Sequence, residues 1–282
     1  NGDPKPGVDA VKAHTKIYPL GQPASASRLT FVNMSGKPFN MVGPADFRFW
    51  EMLNSVIQAE PAEASDPITL GFFAAIGIRK GVPFQPDERM RRILTEAAAA
   101  GDATSRALSY RVRMPQARVY PDRRWNNGFV GGYKFQSQPG VNDLDGAIMF
   151  FFAATGVTPA MDVQMIGKGS QYAWALLDAN GHPLDGGKNY TLRLPPNIPV
   201  KDFWSIIVYS NQTRSMLQTD QRFPSVSSQT KGLLLNADGS VDVYFGPVAT
   251  PGKEKNWIQT IPGKAWNTLL RLYGPLDPFY NK

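Results

Sequence analysis

Short apolar and aromatic segments recur from Tyr172 to Tyr273, and residues rich in Gly, Pro, Asn and Asp separate them. Tyr172–Leu177, Tyr190–Leu194, Phe203–Tyr209, Leu233–Asn236, Val241–Phe245 and Trp266–Tyr273 all have the length and composition of strands. Ala237-Asp238-Gly239-Ser240 lies between two of them and signals a hairpin, because glycine supplies the positive φ that a tight turn needs. Many short strands joined by tight turns predict two antiparallel sheets packed as a jelly-roll-like β-sandwich.

The chain upstream reads differently. Pro44–Glu60 places Phe47, Trp50, Leu53 or Asn54, and Ile57 at helical spacing, and it ends before Pro61. Asp66-Pro67 pairs an N-cap with proline at the first helical position, leading Ile68–Ile76 into Gly77. Pro86-Asp87-Glu88 repeats this start, and an alanine-rich run carries the helix to Ala100, where Gly101-Asp102 is expected to interrupt or re-cap it before a segment to Leu108. From Ser109 strand signals begin, with alternation over Tyr110–Met114 and an aromatic, glycine-rich stretch at Phe129–Phe135. Leu144–Thr155 reads as an inserted helix with Gly156 and Pro159 beyond it, while the Phe150-Phe151-Phe152 triplet leaves a buried strand as the alternative. The expected fold is α+β, with a mostly helical segment over 1–108 and a β-sandwich over 109–282 that carries one inserted helix near 143–155.

Several chemistries are excluded or narrowed by composition. The chain has no cysteine, which removes thiolate nucleophiles, thiolate metal sites and disulfides. His14 and His182 are its two histidines, so metal sites built on several imidazoles are excluded and any Ser-His triad must use one of the two. No metal and no cofactor are expected. Lys and Arg exceed Asp and Glu by 30 to 23, and the surplus falls from Ser109 onward. Spread this thinly, it specifies no nucleic-acid partner. Arg111, Arg113, Arg118, Arg123 and Arg124 form its one local cluster; Arg111 and Arg113 would share a strand face, as an anion patch or, more simply, as a solvated surface. No apolar run approaches the roughly 20 residues that span a bilayer, so a soluble chain without a transmembrane segment is expected. The opening Asn1-Gly2-Asp3-Pro4 reads as a processed or truncated end.

One set of motifs runs in order through the C-terminal half. It comprises Asp143-Leu144-Asp145, Phe151–Met161, Gly169-Ser170-Gln171-Tyr172, Asp185-Gly186-Gly187, Phe203-Trp204-Ser205, Asp238-Gly239-Ser240, Phe245-Gly246-Pro247, Asn256-Trp257 and Arg271-Leu272-Tyr273-Gly274-Pro275. The set resembles the bacterial family built from the paired domains of unknown function 1254 and 1214. Ile17-Tyr18-Pro19-Leu20 looks like the tail of the first domain of that pair. The resemblance implies a jelly-roll-like domain in a periplasmic or otherwise exported protein. It also implies a partner in the rest of the first domain, and it carries over no reaction and no catalytic residues.

Candidate chemistry therefore rests on single residues. The loop Asp178–Asp185 has some oxygen ligands of a calcium site without the full spacing, and Asn180-Gly181 explains it as a turn. Gly167-Lys168-Gly169-Ser170 lacks the strand-to-helix context of a phosphate loop. Asp143 and Asp145 form either an acid-base pair or the capped start of a helix. His182 beside Asp185 is either an oriented base or a solvated turn residue. Tyr172 and Trp174 share a strand face, whereas Trp204 and Tyr209 differ in parity and cannot both face one cavity on a regular strand.

The expected ligand site comprises Tyr172, Trp204, Asn256, Arg271, Asp143 and Asp145, with Lys188 as a further polar partner, for a small molecule or glycan. Two classes of function stay open. One is a non-catalytic ligand-binding or interaction module of the cell envelope. The other is a hydrolase working through Asp143, Asp145 and Asp185, with Arg271 holding an anionic group. In addition, apolar residues of the helical segment, Phe47, Trp50, Phe72 and Phe73, are expected to form an interface and to drive a homodimer if exposed.

Overall fold

Aspartate caps start three helices of this protein, whose computed structural model describes residues 3–37, 42–154 and 156–281. Asn1, Gly2, Thr155 and Lys282, which entered the reading above, lie outside the described residues. Two compact units are present, residues 1–41 and 42–282. The first holds helix α1 (Lys5–His14), which buries none of its residues.

In the second unit, α2 (Arg48–Ala59) begins after Asp46, whose carboxylate accepts the Arg48 N–H. Helix α3 (Pro67–Ala75) is capped by Asp66, which accepts the Thr69 N–H at 2.9 Å, and it ends at Gly77 with φ +92. Helix α4 (Glu88–Tyr110) is capped by Asp87 through the Met90 N–H. Gly101-Asp102 does not interrupt α4. Asp102 instead pairs with Arg106 one turn on at 2.7 Å, and the helix extends through Tyr110. That extension removes the expected strand over Tyr110–Met114: Arg111 follows the helix, and Arg111 and Arg113 are both exposed on either side of buried Val112.

The helices also consume most of the apolar residues assigned to an interface. Phe47 is buried, stacked on Phe84 and covered by Arg91 3.8 Å above its ring. Trp50 donates its indole N–H to the Leu94 carbonyl at 2.6 Å, tying α2 to α4. Phe73 is half-buried, so of the four only Phe72 stands well out, at 70% exposure.

The remaining elements are β1 (Trp125–Asn126), β2 (Gln136–Gln138), β3 (Val141–Asn142), α5 (Leu144–Ala153), α6 (Pro159–Asp162), β4 (Ser170–Ala175), β5 (Tyr190–Leu194), β6 (Val200–Ser210), β7 (Ser225–Ser227), β8 (Val241–Gly246), β9 (Trp257–Gln259), β10 (Trp266–Pro275) and α7 (Asp277–Tyr280). The chain is thus α+β. An antiparallel sheet runs in the order β1-β4-β10-β6-β7, a second runs β5-β8-β9, and β2 pairs with β3. Within the second sheet β8 and β9 are parallel, an exception to the antiparallel expectation.

Two further expected strands are absent among the described residues. Phe129–Phe135 is a turn, with Gly131 and Gly132 at positive φ and Phe135 at φ +50. Leu233–Asn236 pairs with no strand among the described residues, and the Asn256 side chain takes the backbone groups of Leu234; the turn at Asp238-Gly239 forms nonetheless, closed by Asn236 N–H to Ser240 O at 2.9 Å.

Strand parity divides the core. Trp204, Ile206 and Val208 of β6 and Trp266 and Leu272 of β10 join Val241, Val243, Phe245 and Ile258 of the second sheet in one buried cluster. On the other side of the five-stranded sheet, Trp174 and Leu176 pack with Met149 of α5, Val112, Ala117 and Val130. The five-stranded sheet therefore lies between the three-stranded sheet and the helix pair α4 and α5.

The end of β10 explains its Leu-Tyr-Gly-Pro sequence. Pairing with β6 shifts register between Tyr273 and Pro275, and Gly274 sits there at φ +63. A Cβ at Gly274 would approach Asp202 Oδ2 to 2.8 Å. Gly274→Ala should cost about 2 kcal/mol from the left-handed backbone alone. Urea unfolding should show a lower midpoint at unchanged slope; an unchanged midpoint would remove this explanation.

Candidate functional site

The face of the five-stranded sheet turned toward α5 carries alternating residues of adjacent strands. On β4 these are Tyr172 and Trp174, and on β10 they are Asn267, Leu269 and Arg271, with Leu269 opposite Trp174 and Arg271 opposite Tyr172. Tyr209 of β6 joins them. With Phe129 and with Tyr110, Phe150 and Arg214 from the helical side and its loops, they enclose a cavity of about 410 Å³. No Asp, Glu or Lys lines it among the described residues.

Arg271 organises one end. Its guanidinium lies 5.1 Å from the Tyr172 ring and 5.6 Å from the Tyr273 ring, and its Nη2 donates to the Tyr172 hydroxyl at 3.4 Å. No carboxylate lies within ion-pair distance of Arg271 among the described residues, and its buried Nε has no hydrogen-bond partner. Burial opposes its charge, but the hydrogen bond it donates to Tyr172 and the surrounding phenols outweigh that, and its pKa is raised. It stays a cation.

The tyrosines around it are split by environment. Burial pushes the Tyr172 hydroxyl up, yet hydrogen bonds with Ser170 at 2.8 Å and with Arg271, together with the Arg271 charge, leave it below the usual tyrosine range. Burial dominates at Tyr209 and Tyr110, which are both raised. Arg271 therefore polarises Tyr172 more than its neighbours.

A second cation faces the same cavity. Arg214 holds a left-handed backbone at φ +62, which a side chain other than glycine rarely adopts. Its Nη1 donates to the Phe152 carbonyl at 3.0 Å and its guanidinium lies 4.4 Å from the Phe152 ring. It too has no carboxylate partner among the described residues.

The polar floor is a chain of amides. Trp174 Nε1 donates to Asn267 Oδ1 at 2.8 Å, and Asn267 Nδ2 donates to Asn211 Oδ1 at 2.7 Å. Asn126 spends its N–H groups on the carbonyls of Arg124 and Trp174, so its buried Oδ1 is left without a partner. Among the described residues a buried acceptor and a buried guanidinium N–H thus lack partners in side chains that line one cavity, a costly arrangement in an apolar setting.

Of the six residues expected to form the site, the structure brings Tyr172 and Arg271 together. Trp204 lies on the opposite face, buried in the core between the sheets, as its parity relative to Tyr209 requires. Asn256 is buried elsewhere, bonded to Leu234 N, Leu234 O and Asp242 O at 2.8–2.9 Å. Asp143 caps α5 through the Gly146 N–H at 2.8 Å, and Asp145 sits in the first turn of that helix. Lys188 is exposed and does not line the cavity.

Other candidates serve local structure. Asp185 accepts the Gly187 N–H at 2.9 Å, and a Cβ at Gly186 would collide with the Ile261 carbonyl. The carboxylate beside His182 belongs to Asp178 rather than Asp185; Asp178 also accepts the Asn180 and His182 N–H groups that close the turn. Gly167 and Gly169 tie their loop to the end of β10 through Pro275 and Gly274.

Sequence reading passed over Asn267 and Arg214. Asn267 was reachable, since it shares the parity of Arg271 on β10. Arg214 lies in a loop, outside any periodic pattern.

Comparison with curated proteins gives no match. Among solved structures, the VPA0106 protein of Vibrio parahaemolyticus is similar at 20% identity and a TM-score of 0.38, over 89% of this chain and 55% of that one. A putative uncharacterized protein from Burkholderia cenocepacia is similar at 15% identity and a TM-score of 0.31, over 73% of this chain and 43% of that one. The chain spans about half the length of the solved structures it matches. Residues 169–277, from the start of β4 to the start of α7, match the family model described as protein of unknown function (DUF1214).

Proposed function

We propose that this chain is a non-catalytic binding module for a small organic anion with an aromatic or apolar body, held between the five-stranded sheet and α5. The observation that carries the reading is the pair Arg271 and Arg214 in an aromatic cavity that no carboxylate lines among the described residues. An uncompensated guanidinium in a partly dehydrated site is unfavourable alone and favours an anion that supplies the missing charge. Phe129, Phe150 and Trp174 offer faces and edges to a flat apolar body.

The hydrolase reading has less support, since Asp143 is engaged as a helix cap and Asp185 as a turn acceptor. The motif resemblance extends the proposal: a jelly-roll-like packing of the two sheets, pairing with a 1254 domain, and work in the bacterial envelope as a periplasmic or exported protein.

Titration calorimetry with 3-phenylpropionate and its neutral amide tests the binding reading. The carboxylate should bind at least about tenfold more tightly, as a charge-assisted pair requires. Its affinity should fall with added salt and below about pH 5, where the ligand protonates while Arg271 stays charged. Equal affinity for acid and amide, or binding of neither, would refute the proposal.

A further inference from the structure

A groove follows β5 along the open side of the two sheets. Among the described residues β5 ends its sheet and pairs with β8 alone, which leaves one row of its backbone N–H and C=O groups without a strand partner. Two cavities of about 780 and 300 Å³ adjoin there and share Asp122, Arg123, Trp125 and Leu192. The first runs beside Asn189–Leu192 and the second beside Leu192–Pro195, so together they accompany the whole strand.

The facing edge is closed. Val119 donates its N–H to the Trp125 carbonyl at 2.9 Å, and Arg118 bridges Asn126, which covers β1. Tyr190 and Leu192 remain half-buried at the margin of the core, while Thr191 and Arg193, which alternate with them, are exposed. The indole N–H of Trp266, a residue lining the larger cavity, is buried without a hydrogen-bond partner among the described residues.

Charge selects the occupant. Arg123 faces Asp122 at 3.2 Å and Arg193 faces Asp238 at 2.9 Å. Arg118 and Arg124 have no carboxylate within 4.0 Å among the described residues, and the Arg124 Nε donates only to the Ala179 carbonyl. The Asp178 carboxylate is occupied by the amides of its own turn.

We propose that β5 is a docking edge for an extended acidic segment of a partner protein, which adds as a strand beside β5 with its carboxylates within reach of Arg118 and Arg124. A five-residue edge is roughly 17 Å long, a span suited to an extended chain rather than a compact ligand. Unpaired backbone groups at strand spacing, beside alternating half-buried and exposed side chains, fit a peptide better than an acidic glycan.

The test uses the 282-residue chain with an acetylated, amidated Glu-Val-Glu-Val-Glu-Val-Glu peptide. Its controls are the matching Lys-Val peptide and the Glu-Val peptide N-methylated at alternate residues. Hydrogen exchange of residues 190–194 and calorimetry are read together. The Glu-Val peptide should slow exchange along β5, the N-methylated peptide should not bind, and the double variant Arg118→Gln, Arg124→Gln should weaken binding about tenfold.

Absence of protection at millimolar peptide would overturn the proposal, as would equal protection by the Lys-Val peptide. Binding of oligogalacturonate at Arg118 and Arg124 without slower β5 exchange would replace it with a glycan trough. Concentration-dependent protection without peptide would replace it with a second copy of this chain.

Discussion

Arg271→Met should weaken 3-phenylpropionate binding roughly 10- to 150-fold, the range of a charge-assisted hydrogen bond lost from a partly buried site. Met can refill the volume of the aliphatic stem between Tyr172 and Tyr273, and the fold no longer has to hold an unpaired cation beside aromatic rings. Urea stability should therefore fall little or rise. Arg271→Lys should recover part of the affinity, since it keeps the charge and loses the planar fork.

A second readout needs no ligand. Without the Arg271 charge and hydrogen bond, burial of Tyr172 is opposed by Ser170 alone, so the Tyr172 hydroxyl should titrate at higher pH than in the parent protein. Ultraviolet phenolate titration of Arg271→Met against Arg271→Met, Tyr172→Phe isolates that group. Unchanged titration together with unchanged binding would show that Arg271 is a packing residue and end the anion reading.

Tyr172 was legible in the sequence because strand alternation is a local property, whereas Arg271 was singled out by its place in the family-like Arg271–Pro275 motif. Tyr190–Leu194, Phe203–Tyr209 and Trp266–Tyr273 each carry their own alternation, and parity also separates Trp204 from Tyr209. Asp66, Asp87 and Asp143 were legible as caps for the same reason, since a cap bonds only three residues along the chain. Long-range competition for backbone groups was not legible. Leu233–Asn236 has strand composition, but a side chain some 20 residues on satisfies Leu234 and takes the place of a ladder. Gly101-Asp102 misled in the opposite direction, because tertiary packing of α4 and the Asp102–Arg106 pair outweigh a glycine penalty of about 1 kcal/mol. The cavity escaped because part of its wall, including Tyr110, Phe150 and Arg214, comes from α4, α5 and a loop, and which helix covers which sheet face is set by packing.

Asn256 provides the sharpest separation between a ligand residue and a structural one. Its amide satisfies one N–H and two carbonyls of two chain segments while only 2% exposed, and no water can replace it without entering the core. Asn256→Ala strands those three groups and should cost about 3 kcal/mol of unfolding free energy, with 3-phenylpropionate affinity of the folded protein unchanged. Asn256→Asp keeps the acceptor for the Leu234 N–H but loses both donors and buries a carboxylate beside two carbonyl oxygens. At neutral pH it should be no more stable than the alanine variant. The buried carboxyl has a folded-state pKa above its unfolded value, so the variant should gain stability as pH falls and a single donor returns. Chemical unfolding at pH 7 and pH 5 reads both effects. An aspartate variant as stable as the parent at pH 7, or an alanine variant that loses affinity at full stability, would return Asn256 to the ligand site.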